Sequence, residues 1–250
     1  MVSTMNKTGR ELVLALLELR RSLQILGGML LGLTLMLFFV SGHLLEVVQA
    51  HLHAQLYFFS IAGPFLSHVK LSFCGALYLL MPFVLNLIWR ILTRPFQVSA
   101  FQRFWFVFAT CLLFYGGTIF CYMLTLPYGI QFLLEFQNEN LKAVISISRF
   151  TNFILIFLLA FGLVFELPVF MIFTAKVGLL SNKTFKKNRR YAILAIAILA
   201  AVLTPTPDVV NMVLMGLPLY VLYEAGIVLI QLFQLDKKNQ VGKDKEWEGQ

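Results

Sequence analysis

Charge is what this chain of 250 residues has least of: 13% of its residues are Asp, Glu, Lys or Arg, while 59% are hydrophobic. A soluble domain of this length carries roughly twice that charge, because its surface must be wetted. The shortage excludes a soluble globular protein and, with long apolar runs, points to the membrane. Acids are scarcer still, and none occurs between Glu46 and Glu135. Cysteine is too sparse for a disulfide or metal framework. Cys74, Cys111 and Cys121 all fall inside apolar runs and read as small packing residues. There is no Gly-x-Ser-x-Gly elbow, His-Glu-x-x-His pair, Walker loop or Gly-x-Gly-x-x-Gly turn, which argues against an enzyme. Nucleic acid is not an expected partner either, since no basic helix or aromatic-interleaved motif accompanies the net charge of +8.

What is there is a series of apolar segments. A spanning helix needs about 20 mostly apolar residues. The sequence predicts an all-α integral membrane protein, one polytopic domain over 1–250, with six transmembrane helices near 22–40, 69–89, 104–126, 153–175, 191–203 and 209–233. The fifth is short, about 20 Å at 1.5 Å per residue, and closes on Thr204-Pro205-Thr206-Pro207-Asp208. The sixth is interrupted by Pro218 and is expected to be short as well. A cytoplasmic amphipathic segment over 8–21 precedes the first span, and a flexible tail over 234–250 follows the last. No cleavable signal peptide is expected, because Glu11 and Glu18 lie ahead of the first apolar run and no small-residue cleavage site follows it.

The basic residues explain the net charge. Seventeen of the twenty fall in the N-terminal segment, the second loop, the fourth loop and the tail; the other side holds only Lys70, Lys142 and Arg149. The positive-inside rule then predicts both termini in the cytoplasm. All four histidines, His43, His51, His53 and His68, lie in the loop over 41–68 on the opposite face. Their spacing matches no metal-ligand motif, and no metal is expected.

Three acids draw functional interest. Glu18 sits directly before the first span and shares a helix face with Glu11, seven residues earlier. Interfacial helices usually present Lys and Arg to lipid. An ordinary interfacial helix and an acidic site for a cationic partner are equally compatible with that placement. Glu166 and Glu224 each lie about fifteen residues into a span entered from the outer side, roughly 23 Å deep. An intramembrane carboxylate is costly unless it meets a polar cavity or bridges helices, and a shared functional polar site is the favoured reading. Pro168, two residues after Glu166, frees backbone carbonyls beside it.

Taken together, Glu18-Leu19-Arg20, Phe114-Tyr115-Gly116 with Tyr122 and Pro127, Phe165-Glu166-Leu167-Pro168, Leu203-Thr204-Pro205-Thr206-Pro207-Asp208, and Pro218 with Leu222-Tyr223-Glu224 are similar in order and spacing to TatC. TatC is the multispanning receptor subunit of the twin-arginine protein translocase. The resemblance runs from about Glu11 to Phe233. It implies a cupped bundle in a bacterial inner membrane that binds twin-arginine signal peptides of folded cargo. It further implies recruitment of single-span subunits of the TatA and TatB type, contact with membrane lipid, a homo-oligomer within the complex, transport driven by the proton-motive force, and no cofactor.

Residue by residue, the resemblance implies signal-peptide binding by Glu18, with Glu11, Arg20 and Gln102 beside it. Glu166 and Glu224 form the intramembrane polar site, and Pro168, Pro205, Asp208, Pro218 and Tyr122 are structural or partner contacts. Guanidinium–carboxylate pairing suits the task, since lysine cannot copy its bidentate geometry. The family usually places a second glutamate in the loop before the third span. Here that loop, 93–103, has no acid, and Gln102 offers a hydrogen bond without charge. The alternatives are a proton-coupled small-solute transporter relaying through Glu166 and Glu224, and a passive assembly factor. The first usually shows internal repeats, which this sequence lacks.

Overall fold

A computed structural model of the chain describes residues 7–51, 56–57, 62–96, 98–135, 145–203 and 209–232. The described chain is helical apart from one pair of two-residue strands. A bilayer leaves the backbone no other donors or acceptors, so spanning segments must satisfy their own hydrogen bonds. Among the described residues, five helical stretches are long and apolar enough to cross a membrane: Arg20–Val47, Ala62–Phe96, Ala100–Ile130, Ile147–Lys176 and Met215–Leu232.

The chain divides into two compact units. The first comprises residues 1–94 and 144–152. It holds α1 (Lys7–His51), β1 (Leu56–Tyr57), α2 (Ala62–Thr93), β2 (Ile145–Ser146) and the start of α5 (Ile147–Val164). The amphipathic segment and the first span are one continuous helix of 45 residues. The loop expected over 41–68 is correspondingly shorter, because α1 runs to His51 and α2 begins at Ala62. The two helices pack antiparallel. Ser41 near the end of α1 meets His68 near the start of α2 at 3.0 Å, and a Cβ at Gly75 would lie 3.2 Å from Leu37. Buried hydroxyls in this unit bond back to their own helix, Ser67 to the Gly63 carbonyl at 2.9 Å and Ser72 to that of His68 at 2.7 Å. Such back-bonding makes a polar side chain affordable in an apolar helix. The short strands run parallel, Leu56 opposite Ile145.

The second unit comprises residues 95–143 and 153–250. Here α3 (Ala100–Phe120) passes through one π-helical turn (Cys121–Thr125), which contains half-buried Tyr122, into α4 (Leu126–Glu135). The fourth apolar segment, expected as one span over 153–175, is two helices, α5 and α6 (Leu167–Lys176). Pro168 explains where it breaks. Pro168 has no N–H for the carbonyl four residues back, and α5 ends at that residue, Val164. Short α7 (Asn182–Lys187) leads into α8 (Arg189–Leu203) of 15 residues. The sixth segment corrects an expectation. α9 (Val209–Leu232) is 24 residues, about 36 Å, and runs through Pro218 without a break, so it is not short. A transmembrane helix tolerates the single hydrogen bond that proline removes. Pro205 and Asp208 lie outside the described residues.

Close packing in this unit rests on three glycines. A Cβ on Gly117 would sit 2.5 Å from the Phe165 ring, one on Gly162 2.6 Å from Phe114, and one on Gly226 2.8 Å from the Met171 sulfur. Between apolar helices in lipid, such van der Waals fit supplies much of the association. Phe153, Phe157, Phe161 and Phe165 stack successively along this face, with ring centroids 5.0, 5.2 and 6.4 Å apart. A second core joins Met171, Ala175, Ile196, Leu219, Tyr223, Ile227 and Ile230.

Candidate functional site

Glu166 occupies the break between α5 and α6. Its N–H still reaches the Leu163 carbonyl at 3.2 Å, and its own carbonyl accepts from Phe170 at 3.0 Å. The side chain makes no capping bond to α6, so its carboxylate is left to face across the unit. The break lies about 15 Å from the Lys176 end of a 30-residue apolar stretch. Opposite stands Thr110 of α3, 2% exposed and within hydrogen-bonding reach of the carboxylate. Its hydroxyl also donates to the Phe106 carbonyl at 2.7 Å. The other carboxylate oxygen, Oε1, is buried with no partner among the described residues. A buried oxygen in that state costs about 1–3 kcal/mol and invites a polar group from outside the chain.

Two close contacts hold this arrangement. Phe165, adjacent to Glu166 and just past the end of α5, fills the glycine notch that Gly117 leaves on α3. Phe114 of α3, which is wholly buried, fills that of Gly162 on α5. Pro168 is also buried, against Gly226 of α9.

Glu224 is a different case. Its Oε2 accepts from Arg189, at the start of α8, at 2.7 Å, and its Oε1 accepts from Tyr220 at 3.1 Å. Neighbouring Tyr223 donates to the Phe185 carbonyl of α7 at 2.8 Å. Gly226 faces Pro168 and Met171 of α6. Glu224, two residues earlier, is turned about 200° around α9 from that face. Among the described residues the partners of Glu166 and Glu224 share no residue, and the two acids lie on different faces of the α6–α9 packing.

The remaining candidates are placed as follows. Arg20 is exposed on α1 of the first unit, whereas the side chains of Glu11 and Glu18 on the same helix lie outside the described residues. Gln102 is exposed in the first turn of α3, where its N–H donates to the Ser99 side chain that caps the helix. Pro218 is half-buried in α9. Among the described residues no cluster of His, Cys, Asp or Glu could hold a metal ion. Thr110 and Arg189 are the functional neighbours that sequence reasoning missed. Thr110 signalled itself only as a hydroxyl in an apolar span, and Arg189 was counted solely for topology. An apolar groove of about 290 Å³ also opens between α8 and α9, lined by Ile193, Ile196, Ala197, Met212, Val213, Gly216, Leu217 and Tyr220.

Comparison with known proteins agrees with this architecture. The sequence profile of TatC, the Sec-independent protein translocase protein, matches residues 15–218. The Sec-independent protein translocase protein TatC of Helicobacter pylori is 33% identical over 230 residues, which cover 92% of this chain and 90% of that protein. Its counterpart in Carboxydothermus hydrogenoformans is 34% identical over 194 residues, 76% of this chain and 79% of that protein. A crystal structure of the twin arginine translocase receptor TatC in DDM aligns with a TM-score of 0.75 at 26% identity, over 86% of this chain and 98% of that one. With its apolar helices, its broken fourth segment and these matches along most of its length, the chain belongs to the TatC family of multi-pass Sec-independent protein translocase components.

Proposed function

We propose that this chain is the signal-peptide receptor and assembly core of a twin-arginine translocase. It crosses a bacterial inner membrane six times with both termini cytoplasmic, and it acts without catalytic chemistry of its own. The observation that carries the reading is the orphaned Glu166 oxygen in a broken apolar helix, beside Thr110. A component that only held other helices would gain nothing from an unsatisfied intramembrane acid. A receptor that admits a polar group from an incoming segment has use for one.

Recognition of the paired arginines falls to Glu18, with Glu11 on the same helix face, because the loop over 93–103 has no carboxylate. Gln102 and Arg20 flank that task. The excess of Lys and Arg at the N-terminal segment, in the loops over 90–103 and 176–190, and in the tail supports the orientation. At 15 residues, α8 supports a sixth, thin crossing. The apolar groove between α8 and α9 suits the helix of a single-span partner subunit, and the proton-motive force drives the transport that follows.

The test is photo-crosslinking in membrane vesicles, with a probe beside Glu18 and a signal peptide bearing Arg-Arg or Lys-Lys. Crosslinks to the Arg-Arg form that vanish in Glu18→Ala are the expected result. Equal crosslinking of both forms would remove twin-arginine selectivity, and none to either form would remove the receptor role.

A further inference from the structure

The densest run of positive charge in the chain surrounds α7 and reaches the Arg189–Glu224 pair. Five cations fall within eight residues: Lys183, Lys186, Lys187, Arg189 and Arg190. All are exposed. Arg189 is matched by Glu224, and among the described residues no carboxylate pairs with the other four. We infer that the connection between α6 and α8 is an anchor for anionic phospholipid headgroups, formed by the basic face of α7 with exposed apolar residues on either side.

Three features select lipid over a soluble acidic partner. The connection is twelve residues, 177–188, tethered at both ends to apolar helices, so it cannot leave the membrane surface. Apolar residues in and beside it are also turned outward, with Leu179 60% exposed and Tyr191, in the first turn of α8, 56% exposed. Arg190 lies 4.8 Å over the Tyr191 ring, with a guanidinium nitrogen 3.1 Å from the phenolic oxygen, as an aromatic–cation pair does at the bilayer boundary.

The third feature is depth. Tyr223 fixes α7 through the Phe185 carbonyl, and Tyr223 lies nine residues before the last described residue of α9. The basic face therefore sits level with Tyr223, about 13 Å along α9 before its last described residue. Flexible lysines at that level reach headgroups that a protein partner would meet only by entering the interface.

Local folding supports the presentation. Gly178 takes φ 78°, a conformation that side-chain-bearing residues rarely adopt, and so turns the chain back after α6. Ser181 caps α7 by accepting from the Thr184 N–H, Asn182 is buried, and Phe185 packs on the second core. What remains outward is Lys183, Lys186 and Lys187. Each cation near an anionic surface contributes to binding, and the contribution falls with salt.

The test is native mass spectrometry of the delipidated full chain titrated with phosphatidylglycerol or phosphatidylcholine. In the triple variant Lys183→Gln, Lys186→Gln, Lys187→Gln, affinity for the first phosphatidylglycerol should fall roughly tenfold or more. Phosphatidylcholine binding should not change, and the matching Lys→Arg triple should behave as the parent. Raised salt should weaken phosphatidylglycerol binding by the unsubstituted chain, which gives the same readout should the Gln triple not fold. Unchanged phosphatidylglycerol affinity in the Gln triple would overturn the assignment. So would loss of export with that affinity intact, which would point to an acidic protein partner. Displacement of the lipid by an equal concentration of inorganic phosphate would show that Leu179 and Tyr191 contribute nothing, and would also contradict it.

Discussion

The surroundings of Glu166 and of Glu224 differ in how a carboxylate in an apolar segment is satisfied. Glu224 is answered on both oxygens, by Arg189 and by Tyr220, and it ties α8 to α9. Glu166 shares one hydroxyl with a backbone carbonyl and leaves an oxygen without a partner among the described residues, although the helices around it are fitted through glycine notches. One unit thus holds a finished ion pair and an unfinished polar site. A finished pair stabilises, and an unfinished one is retained at a cost. The difference separates a structural acid from a functional one without appeal to sequence position.

The largest effect should come from closing the notches that set the Glu166 break. In Gly117→Ala the new Cβ meets the Phe165 ring, and in Gly162→Ala it meets Phe114, which is wholly buried and cannot move aside. Each should cost about 3 kcal/mol. This is readable as a large drop in the melting temperature of the detergent-solubilised protein. Gly216→Ala is the control, because its nearest neighbour would lie 3.8 Å away. Equal melting of all three variants would mean that the notches do not fix the break.

A smaller effect is expected at the finished pair. Arg189→Met leaves Glu224 without its cation and should cost about 1 kcal/mol, because the pair is partly exposed. Adding Glu224→Gln should restore most of it, and a double-mutant cycle measures the coupling. Export should follow stability in these variants and show no separate defect. A comparable effect belongs to Thr110→Val, which removes the hydroxyl from both the Phe106 carbonyl and Glu166 and should lower stability by about 1 kcal/mol. Its loss of export should exceed what that instability explains.

Much of the fold was legible because the membrane leaves few choices. The apolar runs mark the helices, but the fourth reads as one span over 153–175, and Pro168 suggests only freed carbonyls and not the break between α5 and α6. The site of that break follows once Val164 is recognised as the carbonyl that Pro168 cannot serve. The continuation of α1 past Ser41 was not legible, because Ser41, Gly42 and His43 look like loop residues. In the structure Ser41 satisfies its hydroxyl on the Phe38 carbonyl at 2.7 Å and meets His68, a partner 27 residues away. The length of α9 was misjudged for a related reason, since Pro218 removes one bond and not the helix. At the candidate site, Glu166 could be singled out from its depth, but its contrast with Glu224 could not. Arg189 is 35 residues from Glu224, and no local pattern announces a pair across two helices.

The most direct test of the contrast is export of a folded twin-arginine reporter by vesicles carrying Glu166→Leu. Glu166→Leu removes the orphaned oxygen while filling the site. The account predicts normal accumulation, a melting temperature equal to or above that of the parent, and export reduced to background. Normal export, or lost export accompanied by a lowered melting temperature, would contradict it and make Glu166 a structural bridge like Glu224.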